Sequence, residues 1–269
     1  MMETENMNLR QVEEMVECKN CGNGFEGNYC NLCGQPAETH RINFKFLWHD
    51  IQHGLFHFDK GIVHSLGHLC WHPGITIQEY LEGKRIGHFK PLSMVLVLAT
   101  IYGLLKHFFL HEVKEPAKII INNKSLNSDT INAVFEWVNS HGAIMALLVV
   151  PIYALASYLA YRKEKYNFVE HLVLNAYTSS LRLFITILLF PLVILTQHSS
   201  GSDTVSTLTT VLELGVTCWC FLQFFNTLKW TTALKKLIKM YLIFLLEMIG
   251  IGAILVTLIV LFVYQNNLV

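Results

Sequence analysis

Four cysteines near the start of the chain have the spacing of a metal site. They form two Cys-x-x-Cys pairs, separated by eight residues, at Cys18, Cys21, Cys30 and Cys33. A two-residue spacer lets both sulfurs of a tight turn face one point, and four thiolates suit tetrahedral zinc. Gly22 and Gly34 each follow a pair, where glycine permits a turn that brings backbone amides near the sulfurs. The pattern predicts a zinc ribbon over residues 18–36; a redox pair or an iron centre is the alternative.

The compartment of this head decides between zinc and disulfides. Residues 1–17, MMETENMNLRQVEEMVE, form an acidic segment without the apolar stretch of a secretory signal. We therefore expect the head to lie in the cytoplasm, where thiols stay reduced. A module of about 20 residues is too small for a core of its own, so it needs metal to fold, and a site with four protein ligands is structural. The remaining cysteines are expected to be buried packing residues: Cys70, Cys218 and Cys220.

Residues 40–90 join the head to the apolar part of the chain and are rich in histidine. The histidines form two groups of three, and within each group they are four residues apart, so that each group would lie along one face of a helix. They are His49, His53 and His57, then His64, His68 and His72. The surrounding apolar residues predict two amphipathic helices at the bilayer surface, with Asp59 capping one that starts at Lys60.

These histidines have two functional interpretations and one structural one. Histidines four residues apart can bind a metal ion, which would make a second site of His49, His53, His57, His64 and His68. The stretch HDIQH, residues 49–53, also approximates the HExxH motif of zinc proteases, with aspartate in the glutamate position. The structural alternative is that the histidines are ordinary hydrogen-bonding groups on the polar faces of the interfacial helices.

From Pro91 onward the chain contains apolar runs long enough to cross a bilayer, which takes about 20 residues each. Five spans are predicted, at Pro91–Leu110, Gly142–Tyr161, about Ser179–Thr196, Thr207–Leu228 and Met240–Tyr264. The fold class is therefore mainly α, with a helical membrane bundle over residues 91–269. Lys and Arg collect before the first span and in every second loop, which predicts a cytoplasmic N-terminus. The segment HLVLNAYTSS before the third span is mixed in polarity and can be an interfacial helix that runs into the span, which leaves its start open between residues 171 and 179. A re-entrant or interfacial run, giving four or six crossings, is the alternative to five spans.

Three ionisable residues fall in or near the apolar runs: Arg182, Glu213 and Glu247. Charges at such positions are costly and often functional. In the predicted topology Arg182 and Glu247 approach from the same side and can pair, whereas Glu213 lies nearer the outer end of the fourth span. The set serves either an ion or solute path or the packing of the bundle.

The chain resembles a family of bacterial integral-membrane proteins with an N-terminal zinc ribbon, catalogued as a domain of unknown function. The resemblance lies in CKNCGNGFEGNYCNLCGQ, FDKGIVHSLGHL and HPGITIQEYLEGKRIGHFKP, and it covers about residues 18–110. It implies zinc on the four cysteines and a location in the inner membrane, and it carries no activity. It also singles out Asp59, Gly61, Pro73, Gly74, Tyr80, Gly83, Lys84, Arg85 and Pro91.

Physical chemistry gives these residues a role as a membrane-entry elbow. Thr76 can cap a short helix, Gly83 can close it in a left-handed conformation, and Pro91 can open the first span. Lys84 and Arg85 would then attract anionic headgroups. The alternative is a functional surface built from Asp59, Glu79, Tyr80, Lys84 and Arg85.

Composition and motifs narrow the function without identifying a substrate. The chain is 52% hydrophobic with zero net charge, so no nucleic-acid partner is expected, and it lacks a phosphate-binding GxxxxGK[ST] loop. We expect a non-enzymatic membrane protein whose head acts in docking, assembly or regulation, with the bilayer and a cytosolic protein as partners. The alternatives are a small-solute or lipid transporter that uses the intramembrane charges, and a metal-dependent hydrolase that uses the histidine-rich segment.

Overall fold

A computed structural model describes residues 15–45, 47, 61–110, 120–121, 124–125, 136–138, 140–197, 199 and 201–266. Within these ranges the chain is mainly helical, as predicted, with a cysteine cluster at its N-terminal end. The strands are β1 (Val16–Glu17), β2 (Gly24–Phe25), β3 (Ile120–Ile121) and β4 (Lys124–Ser125). The helices are α1 (Gly61–Trp71), α2 (Pro73–Glu82), α3 (Pro91–Phe109), α4 (Gly142–Ala160), α5 (Phe168–Thr196), α6 (Ser202–Phe224) and α7 (Trp230–Asn266).

Five of these helices are long and apolar enough to cross a membrane, which confirms the predicted number of spans. They are α3, α4, α5, α6 and the part of α7 from Trp230 to Leu258. The shortest have 19 residues, or about 28 Å at 1.5 Å per residue, close to the thickness of the hydrocarbon core. The chain is therefore a multi-pass membrane protein.

The third span starts earlier than the sequence predicted. Its helix begins at Phe168, and the mixed segment HLVLNAYTSS is continuous with the apolar half. A capping box sets the start: the Asn167 side chain accepts from the Glu170 amide (2.9 Å), and the Glu170 carboxylate accepts from the Asn167 amide (2.7 Å). The start near residue 179 was therefore too late, and the mixed segment runs into the span as one helix, as the sequence allowed. The polar residues of this segment are buried among the other helices. Several of their side chains donate to backbone carbonyls one turn earlier in α5.

Burial differs sharply between α5 and α7. The N-terminal half of α5 is almost wholly buried, because α3, α4 and α6 all pack against it. By contrast, no residue in the apolar window of α7, residues 241–258, is buried. A helix that is apolar and exposed in a membrane protein faces lipid, so α5 forms the centre of the bundle and α7 part of its rim.

Between head and bundle, α2 packs against the end of α6 instead of lying alone on the bilayer. The Gly74 amide donates to the Gln223 side chain (2.7 Å), and the Gln78 side chain donates to the Phe224 carbonyl (2.6 Å). A Cβ on Gly74 would meet the Phe224 nitrogen at 2.3 Å, so the approach of the two helices requires glycine here. Most of α2 is consequently buried.

The predicted ends of the elbow are largely correct. Gly83 closes α2 with a φ of +117°, and Pro91 opens α3 in its first turn. The cap at Thr76 was wrong, because α2 already begins at Pro73 and the Thr76 hydroxyl donates to the His72 carbonyl inside the helix (2.8 Å). Proline needs no partner for an amide hydrogen at a helix start, so the capping side chain is dispensable.

The contact at Gly74 predicts an asymmetry between two glycines. Gly74→Ala should lower the free energy of unfolding of the protein in detergent by at least about 1–3 kcal/mol, and with it the melting temperature, because the backbone of α6 must move. Gly215→Ala, on the exposed face of α6 with no described atom within 4 Å of its Cβ, should cause no loss. Thermal unfolding of both variants checks this, and equal melting temperatures would contradict the proposed contact.

Candidate metal centre

The two cysteine pairs form matching turns. The Cys18 amide donates to the Asn23 carbonyl (2.9 Å), and the Gly22 amide donates to the Cys18 carbonyl (2.8 Å). The second pair repeats both bonds with the same distance in sequence, from Cys30 to the Gln35 carbonyl (2.8 Å) and from Gly34 to the Cys30 carbonyl (2.8 Å). Both turns need a left-handed residue, and Gly22 (φ +73°) and Gly34 (φ +76°) supply it, as the sequence predicted.

These turns bring all four sulfurs to one point. The Sγ atoms of Cys18, Cys21, Cys30 and Cys33 lie within 4.8 Å of one another. The Cys18–Cys33 sulfurs are 3.5 Å apart and the Cys21–Cys30 sulfurs 3.6 Å apart. The predicted ligand set can therefore share one metal ion, with every position of a four-coordinate site filled by protein.

The surroundings of Cys30 favour its ionised form. Burial acts to raise the pKa of this thiol, but hydrogen bonds from the Cys33 and Leu32 amides and from neighbouring thiols lower it to about 6. The Asn23 side-chain amide also points at the Cys30 sulfur (3.9 Å). Donors of this kind stabilise a metal-bound thiolate, which suits Cys30 to the role of a ligand.

The head is fixed to the elbow through one buried amide. The Gln35 side chain is only 2% exposed; it donates to the Gly83 carbonyl (2.8 Å) and accepts from the Arg85 amide (3.2 Å). Lys19 adds a bond to the Thr39 carbonyl (2.7 Å) beside the same contact. Gln35 directly follows the second cysteine turn, so the position of the metal cluster and that of the elbow are coupled.

A second attachment runs from the segment after the ribbon to the start of α5. The Arg41 guanidinium holds both carboxylate oxygens of Glu170 (2.6 and 2.7 Å) and donates to the Lys165 carbonyl (2.8 Å). Ile42, the next residue, is buried in the main hydrophobic core. Because Glu170 is also the capping residue of α5, the head and the third span share one carboxylate.

Only part of the predicted functional surface is exposed. Lys84 pairs with Glu79 (2.7 Å), which raises the pKa of Lys84, while Arg85 lies over the Tyr80 ring and donates to the His40 carbonyl (2.7 Å). Tyr80 is buried against Tyr177, so it belongs to the core, because α2 packs inward. Asp59 lies outside the described residues.

Of the predicted second metal site, only His64 and His68 are described; His49, His53 and His57 lie outside the described residues. The His64 and His68 rings are 4.4 Å apart, and His88 joins them with centroids 6.4 and 6.3 Å away. Burial lowers the pKa of His88, aided by the two other histidines. No spacing rule connects residue 88 to the triples, which is why the sequence did not indicate it. A second metal site stays a prediction.

The intramembrane charges pair differently from the prediction. Arg182 binds Glu213 (3.4 Å) and lies 5.1 Å from the Tyr153 ring centroid, while Glu213 also accepts from the Thr186 hydroxyl (2.8 Å). The expected pair of Arg182 with Glu247 was wrong, because α5 packs against α6, and the two buried oxygens of Glu247 have no hydrogen-bond partner within the described part of the chain. The sequence could not rank the two glutamates, since both stand in apolar helices.

One buried polar cluster was missed altogether. The Ser157 hydroxyl lies 3.0 Å from the His171 ring nitrogen Nδ1, accepts from the Asn175 amide (2.8 Å) and donates to the Ala154 carbonyl (3.0 Å). The three side chains of Ser157, His171 and Asn175 are fully buried between α4 and α5. Ser157 lies in one predicted span and the other two in the mixed segment before the next, so only the helix pairing reveals that they meet.

Comparison with known proteins adds one finding. Residues 59–103 match a family described as Protein of unknown function (DUF3667). The match covers α1, α2, the elbow and most of α3, and it excludes the four cysteines. No curated protein and no solved structure matches the chain.

The cluster geometry predicts how metal content depends on single thiols. Cys30→Ser should abolish binding of the ion at the head, because it removes one of the four ligands. Cys70→Ser, in α1, should leave that metal in place. Elemental analysis of metal released from purified protein by a thiol-blocking reagent measures this. Full retention in the Cys30 variant would show that the four thiols are not a ligand set.

Proposed function

We propose that this chain is a non-enzymatic inner-membrane protein whose cytosolic zinc ribbon is a docking or regulatory module mounted on the bundle. The observation that carries the proposal is the buried Gln35 side chain, which binds the elbow on both sides of Lys84, at the Gly83 carbonyl and the Arg85 amide. A ribbon joined to the bundle only by a flexible linker would not need this contact. The attachment gives a partner at the ribbon a mechanical route to the membrane helices.

Zinc is the metal that fits the donor set best. Zn–S bonds of about 2.3 Å place the sulfurs of a tetrahedral site about 3.8 Å apart, near the 3.5 and 3.6 Å of the two short pairs. Four thiolates leave no open position, so the ion would hold the fold and take no part in a reaction. This argues for a structural zinc and against catalysis at the head.

The distribution of charge supports a cytosolic head. The basic residues at the elbow and in the loop after α4 stand at the same end of the bundle as the ribbon, because Arg41 reaches the Lys165 carbonyl. By contrast, the loop between α5 and α6 has no Lys or Arg. By the positive-inside rule the ribbon end faces the cytoplasm, and five crossings then place the end of α7 on the other side.

A photo-crosslinking residue at position 32 of the ribbon tests the docking role. Leu32 is 71% exposed and makes no contribution to the main core. In cell membranes we expect a protein adduct that is lost when Cys30→Ser removes the metal. The adduct should also weaken in Gln35→Ala. This variant keeps the four metal ligands but destabilises the contact between ribbon and elbow by about 1–3 kcal/mol.

The same crosslinker at position 195, an exposed leucine at the far end of α5, is the control for non-specific reaction. Metal analysis of Gln35→Ala should show unchanged zinc, since Gln35 takes part in the cysteine turn only through its backbone carbonyl. An adduct that survives loss of the metal, or no adduct specific to position 32, would exclude the ribbon as a docking module.

Transport is the second candidate, and one observation favours it. Both oxygens of the Glu247 carboxylate are buried and, among the residues that the structure describes, lack a hydrogen-bond partner, in a helix whose apolar window faces lipid. Such a group is costly unless it binds a proton or a cation. A hydrolase built on residues 49–53 remains a prediction, since these residues lie outside the described part of the chain.

For transport, Glu247→Gln should abolish proton or cation flux into proteoliposomes while the protein still assembles. Asp203→Asn, an exposed carboxylate in the first turn of α6, should leave the flux unchanged. A pH-sensitive or cation-sensitive dye inside the vesicles reports the flux. Wild-type protein that gives no flux above empty vesicles would remove this candidate.

A further inference from the structure

The loop after α4 and the start of α7 are joined into one unit by side-chain contacts. The Tyr161 hydroxyl donates to the Ala233 carbonyl (2.9 Å), and Lys236 forms an ion pair with Glu164. The Tyr161 ring also stacks on Phe225, just before α7, with centroids 4.1 Å apart. These contacts hold two basic segments side by side at the same end of the bundle.

Four cations on this unit are exposed: Arg162, Lys163, Lys235 and Lys239. Among the described residues none of the four has a carboxylate within ion-pair distance, since Glu164 is occupied by Lys236 and Glu170 by Arg41. Lys235 and Lys239 are four residues apart, so they lie one above the other on one face of α7. The unit therefore presents a concentrated positive charge that no described acidic side chain neutralises.

Apolar side chains continue directly from this charge. Ala233, Leu237 and Met240 face the bundle and are buried, whereas Ile238 and Leu242 are exposed beside the two lysines. Beyond them α7 carries its unburied apolar window. A molecule that fits the whole surface has an anionic head at the lysines and an apolar chain along α7.

We propose that this surface, made of Arg162, Lys163, Lys235, Lys239 and the exposed face of α7, binds an anionic phospholipid. The phosphate-containing headgroup pairs with the cations, and the acyl chains lie along the helix from Ile238 onward. A nucleic acid or acidic peptide would use the charge but leave the adjoining apolar face uncovered. The proposal rests on the membrane-spanning helices and is independent of the role of the zinc ribbon.

Titration of fluorescent phosphatidylglycerol into the full-length protein in neutral detergent tests the site, with phosphatidylcholine as the uncharged comparison. We expect tighter binding of phosphatidylglycerol, weakened by salt. Each cation removed should raise the half-saturating lipid concentration about fivefold, and Lys235→Gln with Lys239→Gln about 25-fold together. Arg162→Gln alone should give about fivefold, which keeps a readout if the double variant misfolds.

Two controls separate charge from fold. Replacing Lys235 and Lys239 by arginine keeps the charge and should keep the affinity, and Lys45→Gln removes an exposed cation elsewhere and should change nothing. Equal binding of the two lipids by wild-type protein would overturn the proposal. So would an equal loss in the arginine variant or in Lys45→Gln, or displacement of the lipid by an oligonucleotide or acidic peptide at lower concentration than by unlabelled phosphatidylglycerol.

Discussion

A backbone carbonyl or amide buried between packed helices has no water to bond, and this constraint governs how the helix ends of this protein are joined. Side chains from neighbouring elements bind buried carbonyls at several of these ends. Tyr177 donates to the Phe89 carbonyl just before α3 (2.7 Å), Tyr161 to a carbonyl in the first turn of α7, and Gln78 to the Phe224 carbonyl that ends α6. Each of these bonds also fixes where a helix end lies relative to its neighbour.

The same device attaches the cysteine head. Gln35 uses both functions of its amide on the Gly83 carbonyl and the Arg85 amide, where α2 has just ended in a left-handed turn. A buried amide of this kind is costly unless both of its functions are bonded, so the contact favours one relative position of head and elbow. The metal cluster is thus one end of a continuous polar connection that reaches α5 through Arg41.

Local signals were predictable from sequence, and pairwise ones were not. The spacing of Cys18 and its partners predicted a cluster, and run length predicted five spans, because both depend on neighbours in the chain. The partner of Arg182 depends on which helix packs beside α5, and the hydropathy of the sequence does not report which helices are neighbours. The same holds for His88 and for the start of α5, where the Asn167 cap lies upstream of the apolar run.

The bond between Arg41 and Glu170 spans 129 residues, and this separation orders the events of synthesis. When Arg41 leaves the ribosome, its carboxylate partner has not been made, and two transmembrane segments must enter the bilayer before Glu170 emerges. The ribbon can fold around its ion early, but it can be fastened at this point only once the third segment has begun to insert. During biogenesis the ribbon can thus be folded before the helix that anchors it through Glu170 has been synthesised.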